Sequence, residues 1–142
     1  MGHRNGNLSF IVDDSGPVYK GRGVVLDQTT GKVAPVTSIN DPIIGWSQED
    51  KRPGEQVSVR TMFEGTVMVE LDRTASGGDY HYPGQQLTMT ADGRMKRYDS
   101  AEKATEARWG FLLTNNRDAT GNTKYGEALM LRQINMWDNP TP

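Results

Sequence analysis

The side chains that could do chemistry are few and lie far apart in the sequence. His3 lies in a polar N-terminal stretch, and His81 stands between two tyrosines. Neither histidine has a partner at the spacing of a metal site. The chain has no cysteine, which excludes disulfide bonds and thiolate metal ligands. We therefore expect no metal site and no cofactor.

Carboxylates and glycine-rich loops give no better candidate for catalysis. Asp13-Asp14 and Glu49-Asp50 are adjacent pairs whose side chains point apart, so we interpret them as solvated turn acids. The loop 74–79 lacks the lysine and the following helix of a phosphate site, and 118–122 lacks the ligand spacing of a calcium loop. The sequence predicts no catalytic residue and a protein that is not an enzyme. An active site assembled across subunits remains an alternative.

Composition predicts one small domain without a nucleic-acid or membrane partner. In 142 residues, 16 Lys+Arg face 18 Asp+Glu, which argues against a broad phosphate-binding surface. Arg94 and Lys96 beside Tyr98 leave single-stranded nucleic acid as a weak alternative. No apolar run approaches the length of a membrane helix. We expect a soluble protein made in the cytoplasm, with a lean core or with apolar surface that a partner chain completes.

Apolar residues alternate with polar ones in short runs, the pattern of strands with one buried face. Val67, Val69 and Leu71 share such a face, and 56–60 with 66–71 predicts a hairpin or a bent strand pair. The further predicted strands are 8–12, 18–20, 23–26, 32–36, 43–46, 87–90, 94–98, 109–113 and 128–134. The best turns are 27–31 and 90–93, each with a glycine. The one helix candidate is 100–107.

The strand motif occurs twice along the chain. Three segments recur in order: 23–33 in 84–95, Pro42–Trp46 in Arg108–Leu112, and Gly54–Arg60 in Gly126–Arg132. We predict an all-β fold, a small closed barrel or a sandwich made of two repeated strand-turn-strand units, and a closed barrel is favoured over an open sheet. The predicted division is an N-terminal arm at 1–16, one β domain at 17–134 with repeats at about 23–71 and 84–134, and a flexible C-terminal tail at 135–142. Gly45 and Gly110 would supply bends.

Tryptophans and other large apolar side chains suggest where a partner binds. Trp46 and Trp109 occupy corresponding, though not identically placed, positions in the two repeats and are predicted to be core residues. Trp137 lies in a polar tail, where it either anchors a partner or folds back on its own domain. The candidate partner-interface residues are Leu8, Phe10, Tyr80, Tyr82, Met136 and Trp137.

The first repeat carries a recognisable series of motifs. An aliphatic strand, a glycine-turn hairpin, a strand ending in Ile-Gly and a Gly-Glu-x-Val-x-Val strand follow one another in 23–27, 31–36, 41–45 and 53–60, before Gly65–Val69. This series resembles the capsid cement or decoration proteins of tailed bacteriophages. The match covers about the first half of the chain, and loops 72–83 and 115–125 are longer than the pattern needs.

The resemblance implies a β-barrel or β-sandwich that forms a homotrimer on the outer surface of a phage capsid. There it would bind the major capsid protein and tie neighbouring subunits together, without catalysis or cofactor. Alternatives are a phage tail or baseplate component, an adhesin domain, or a carbohydrate-binding β module in which Tyr80, Tyr82 and Trp137 form the aromatic patch.

Overall fold

The computed structural model describes residues 7–39, 41–61, 66–72, 84–98, 109–113 and 124–130. These residues form ten strands and no helix. The strands are β1 (Asn7–Ile11), β2 (Gly23–Leu26), β3 (Val33–Pro35), β4 (Ile43–Ser47), β5 (Gln56–Thr61), β6 (Thr66–Glu70), β7 (Gln86–Met89), β8 (Met95–Arg97), β9 (Gly110–Leu112) and β10 (Tyr125–Met130).

The ten strands make two antiparallel sheets with the same topology. The first sheet has the order β1-β5-β4-β2-β3 and the second has the order β6-β10-β9-β7-β8. Each sheet is built from one continuous stretch of sequence, which we call repeat one (β1–β5) and repeat two (β6–β10). The predicted all-β fold is confirmed. The described strands give a sandwich-like arrangement of two sheets, which is one of the two architectures that the sequence predicted, and not a closed barrel.

Backbone pairing fixes which residues of the two repeats correspond. Leu8 pairs with Val59 and Val67 pairs with Ala128, at the same place in the two sheets. The glycine in the middle of β4 and the one that begins β9 also match. A Cβ on Gly45 would meet the carbonyl oxygen of Arg60, and one on Gly110 would meet that of Leu129. These glycines allow close approach of the neighbouring strand.

The hairpin turns follow the sequence prediction. Asp27 N donates a hydrogen bond of 2.8 Å to the carbonyl oxygen of Lys32 across the β2–β3 turn, and Thr90 N donates one of 2.8 Å to that of Arg94 across the β7–β8 turn. Each turn holds a glycine with positive φ, 73° at Gly31 and 89° at Gly93. The positive φ explains why glycine stands there.

Two buried clusters form the interior. The smaller one belongs to repeat one and contains Val12, Val18, Val24, Val33, Val57 and Val59. The larger one contains the core of repeat two, including Trp109, together with Val36, Ile43 and Trp46 from repeat one. Both tryptophans are fully buried, as predicted. The larger cluster therefore also joins the two repeats.

Four predictions about strand pairing need correction. β5 and β6 do not form a hairpin, because they lie in different sheets. β6 begins repeat two, so the observed units differ from those predicted at 23–71 and 84–134. The match of Pro42–Trp46 to Arg108–Leu112 is one residue out of register, because Trp46 and Phe111 occupy the same place in the two sheets. The match of Gly54–Arg60 to Gly126–Arg132 is three residues out of register. Leu129 was matched to the buried Val57 but is 39% exposed, while Ala128 is buried and corresponds to Val59.

Segments at the predicted boundaries also differ. β1 lies inside the stretch predicted as an N-terminal arm, where it pairs with β5 along its whole length. The strand predicted at 18–20 is reduced to a single bridge between Val18 and Lys51. The helix candidate at 100–107 and the tail at 135–142 lie outside the described residues.

Candidate functional site

The two repeats meet at a junction of backbone hydrogen bonds. Gly23 N donates to the carbonyl oxygen of Gly93 at 2.9 Å, and Glu70 N donates to that of Gly21 at 2.8 Å. A Cβ on Gly21 would lie 2.6 Å from the Glu70 nitrogen. The chain segments on the two sides are therefore in direct backbone contact, with no space for a side chain at Gly21.

Charged side chains extend this junction. Arg22 of repeat one binds the buried Glu70 of repeat two, with 2.9 Å between Nε and Oε1. Asp92 lies 3.8 Å from Arg22 and 2.9 Å from Arg94, and Arg94 also lies 3.7 Å from Asp72. The ion pairs form a series in which acids and bases alternate, so each buried or half-buried charge faces an opposite one. The order is Glu70, Arg22, Asp92, Arg94 and Asp72.

Two opposing influences act on the pKa of Asp92, and the one that lowers it prevails. Burial would raise the pKa of Asp92, but hydrogen bonds from Arg94 and Thr90 and the charges of Arg94 and Arg22 oppose burial and lower it below its usual value of 3.8. The hydrogen bond to Asp92 raises the pKa of Arg94. Asp92 and Arg94 are both charged at neutral pH, and each stabilises the charged form of the other. The cluster is suited to joining the repeats rather than to moving a proton.

Exposed large apolar side chains occur on both repeats. On repeat one, Leu8, Ile11 and Leu26 are 36%, 40% and 37% exposed. On repeat two, Leu129 stands opposite the half-buried Phe111 on β9, and Leu113 follows at 46% exposure. Large apolar side chains that cluster on a surface usually mark an interaction site.

A shallow groove of about 530 Å³ lies on repeat one. It is lined by Pro17, Val18, Tyr19, Asp50, Lys51, Arg52 and Glu55. Charges of both signs line it, so no single charged ligand is favoured. Asp50 is already engaged, since its Oδ1 accepts a hydrogen bond of 2.8 Å from Lys20 N.

The residues that sequence reasoning selected are placed as follows. Leu8 and Phe10 lie on β1, with Leu8 exposed and Phe10 packed against the repeat-one cluster. Tyr80, Tyr82, Met136 and Trp137 lie outside the described residues. Ile11, Leu26 and the charged junction were missed, because single apolar side chains beside turns and charges distant in sequence give no local pattern. Arg94, one of the basic residues considered for nucleic-acid binding, forms ion pairs with the carboxylates of Asp72 and Asp92.

Among the described residues, no three His, Asp or Glu side chains are gathered so that they could hold a metal ion. The same part of the chain contains no helix of the length and apolar content that crossing a membrane requires.

Comparison with known proteins identifies a related fold. No protein-family model matches the chain, and no curated protein matches it. Among solved structures, the N base of the head fiber gp8.5 of bacteriophage phi29 matches with a TM-score of 0.61 and 16% sequence identity, covering 89% of this chain and 95% of that chain. The chain shares its fold with a phage head fiber base. At this identity the likeness concerns the fold, over nearly the full length of both chains.

Proposed function

We propose that this protein is a structural component of a tailed-phage head, which binds the outer surface of the capsid and ties neighbouring major capsid subunits together. The observation that carries the proposal is the near full-length likeness to the phi29 head fiber base. The resemblance of residues 23–60 to phage cement proteins supports the same placement independently, because it depends on sequence motifs rather than on the superposition.

The role is non-enzymatic in this proposal. The charged side chains at the repeat junction pair with one another, as Arg22 does with Glu70 and Arg94 with Asp92. Such pairs position the repeats, and among the described residues of the junction each acid faces a base in an ion pair rather than a cavity where it could transfer a proton.

A homotrimer is part of the proposal. A cement protein acts through many copies of a modest interface, and linking three copies makes the later contacts intramolecular. The exposed leucines and isoleucine of repeat one supply apolar area for contacts of this kind.

The test uses the phage whose genome encodes this chain. We expect particles lacking the gene to assemble with bare heads, and purified protein added back to appear on the outside of the shell by electron cryomicroscopy. Decorated heads should rupture at a higher temperature than bare ones. The gene should lie beside those for the major coat protein and the scaffold or protease.

The outcomes separate attachment from stabilisation. Density on the tail or baseplate, or no binding to bare heads, contradicts a head protein. Binding with an unchanged rupture temperature retains a head component but contradicts the cement role. A gene embedded in a metabolic operon contradicts both.

A further inference from the structure

Repeat one covers a specific face of repeat two within the chain. The covered surface, which we call the acceptor face, contains Glu70 and Met89, with relative exposures of 4% and 0%. The covering donor face contains Gly21, Arg22, Gly23, Ile43 and Trp46. A Cβ on Gly23 would lie 3.3 Å from the Met89 sulfur, and β4 contacts β6 directly.

The corresponding acceptor face of repeat one is exposed. Glu70 corresponds to Ile11, because β6 and β1 pair identically with β10 and β5. Leu26 corresponds to Met89, since Leu26 pairs with Val33 and Met89 with Met95. Both counterparts are apolar, and Ile11 and Leu26 are 40% and 37% exposed.

The corresponding donor face of repeat two is also open. Gly21 N donates to the Ser47 carbonyl oxygen and Gly84 N to that of Leu112, which makes Gly84 the counterpart of Gly21. A Cβ on Gly21 would meet repeat two, whereas one on Gly84 would meet no described residue within 4 Å. Trp46 is fully buried, while its counterpart Phe111 is half-buried.

The turn glycines report the same difference. A Cβ on Gly93, on the acceptor face of repeat two, would lie 3.1 Å from backbone atoms of Gly23. Gly31 is its counterpart on repeat one, and a Cβ there would meet nothing within 4 Å in the described part of the chain. Each repeat therefore has a donor and an acceptor face, and within residues 7–130, as far as the structure describes them, one face of each kind is used.

We infer that copies of this chain associate head to tail, with the donor face of repeat two seated on the acceptor face of repeat one of the next copy. The contact repeats the junction already present within the chain, so the occupant is a second copy. The counterpart backbone bonds run from Gln86 N to Gly31 O and from Ile11 N to Gly84 O. This contact joins two different faces, so it closes into a ring or extends into a chain.

The inference deepens the homotrimer of the proposed function by naming the faces in contact, and it is tested on the isolated chain by a charge graft, so that it can fail while binding to phage heads succeeds. At the internal junction Arg22 binds Glu70; their counterparts are Gln85 and Ile11. Ile11→Glu should place an unpaired carboxylate at the contact and weaken self-association about tenfold or more. Adding Gln85→Arg should restore most of it, because the two new side chains rebuild the Arg22–Glu70 pair between copies.

The matched control is Ile11→Glu with Gln85→Glu, which places two carboxylates together and should associate most weakly. Sedimentation velocity of the full chain over a concentration series gives the dissociation constants. A wild-type chain that stays monomeric up to millimolar concentration overturns the inference. So does a Gln85→Arg double variant that associates no more tightly than the Gln85→Glu control.

A mixing experiment tests that the contact is head to tail. Ile11→Glu damages only the acceptor face and Phe111→Glu only the donor face, so each variant alone should be impaired. Mixed together, they should form a two-chain complex through the remaining intact faces. Wild-type association by Phe111→Glu alone would show that two copies of the repeat-one face bind each other, and would overturn the inference. If that variant does not fold, the charge graft decides the question.

Discussion

Gly45 and Gly110 stand where a neighbouring strand passes too close for any side chain. Each would place a Cβ against a carbonyl group, that of Arg60 for Gly45 and that of Leu129 for Gly110. Backbone cannot move aside as the end of a flexible side chain can. The sequence analysis expected these glycines to provide bends, whereas close strand approach is the constraint that the structure shows.

Gly110→Ala should therefore destabilise the fold by about 2 kcal/mol or more, since the added methyl forces β10 away. The measurement is the urea midpoint of unfolding of the full chain. Gly16→Ala is the matched control, because its Cβ would lie 3.6 Å from the Pro35 Cγ, an ordinary contact. Equal midpoints for the two variants would show that the strands adjust freely.

The contribution of Asp92 to the stability of the fold depends on pH. Its pKa is lowered in the folded state, so its contribution to stability is present above the usual value of 3.8 and is lost as pH falls through the lower, folded pKa. Asp92→Asn should cost at most about 1 kcal/mol at pH 7, because the carboxylate is partly exposed. The difference between wild type and variant, followed by urea unfolding, should shrink from pH 5 to pH 2. A difference that does not change with pH would assign the effect to packing.

At the scale of elements, β1 is an edge strand of the first sheet rather than part of an arm. Phe10 packs against the repeat-one cluster, while Leu8 on the same strand is 36% exposed. β1 pairs with β5, so its residues are held by a strand distant in sequence.

Phe10→Ala should cost about 2 kcal/mol, whereas Leu8→Ala should cost about 0.5 kcal/mol or less. Both substitutions belong in the Ile11→Glu background at low concentration, where we expect self-association to be weakest and the two costs to refer to the folded monomer. Urea unfolding measures the two costs. Two equally small losses would mean that β1 contributes little to the folded monomer.

Trp46 is the largest side chain shared between the repeats. No described residue accepts a hydrogen bond from its indole nitrogen. Trp46→Phe should consequently cost about 1 kcal/mol, because it loses volume without losing a polar contact, whereas Trp46→Ala should cost about 3–5 kcal/mol. Thermal unfolding followed by calorimetry compares the two. A phenylalanine variant as unstable as the alanine variant would indicate that the indole nitrogen has a partner.

Local patterns predicted the elements better than their pairing. Glycine turns and alternation located the hairpins and the buried face of Val67, Val69 and Leu71, because both signals are local. β10 carries apolar residues on both faces, with Ala128 buried and Leu129 exposed, so alternation could not choose its register. The identical glycine, glutamate and arginine of Gly54–Arg60 and Gly126–Arg132 then favoured the wrong register. The interface residues on turns and edges were hidden for the same reason, since only pairing between distant strands brings them together.

At the scale of the whole molecule, the two repeats share one topology but differ in what covers them. The interior of repeat two is completed by Ile43 and Trp46 of repeat one. The equivalent surface of repeat one carries the exposed side chains of Ile11 and Leu26. The chain therefore presents an uncovered acceptor face on repeat one and an uncovered donor face on repeat two, as far as the described residues show.

Association through those faces should make thermal stability depend on concentration. Binding that occurs only in the folded state raises the apparent melting temperature by mass action. We expect the Tm of the wild-type chain to rise by several degrees over a hundredfold increase in concentration, as measured by calorimetry. The Ile11→Glu variant should show no such rise. A constant wild-type Tm would argue against association at these concentrations.

The continuous arrangement of each sheet along the chain has a consequence for synthesis. β1 to β5 leave the ribosome before β6, so the first sheet can form while the second is still being translated. During that interval Ile43 and Trp46 face water, because the residues that cover them have not been made. The speed of translation between Thr61 and Met95 therefore sets how long a nascent chain remains open to aggregation.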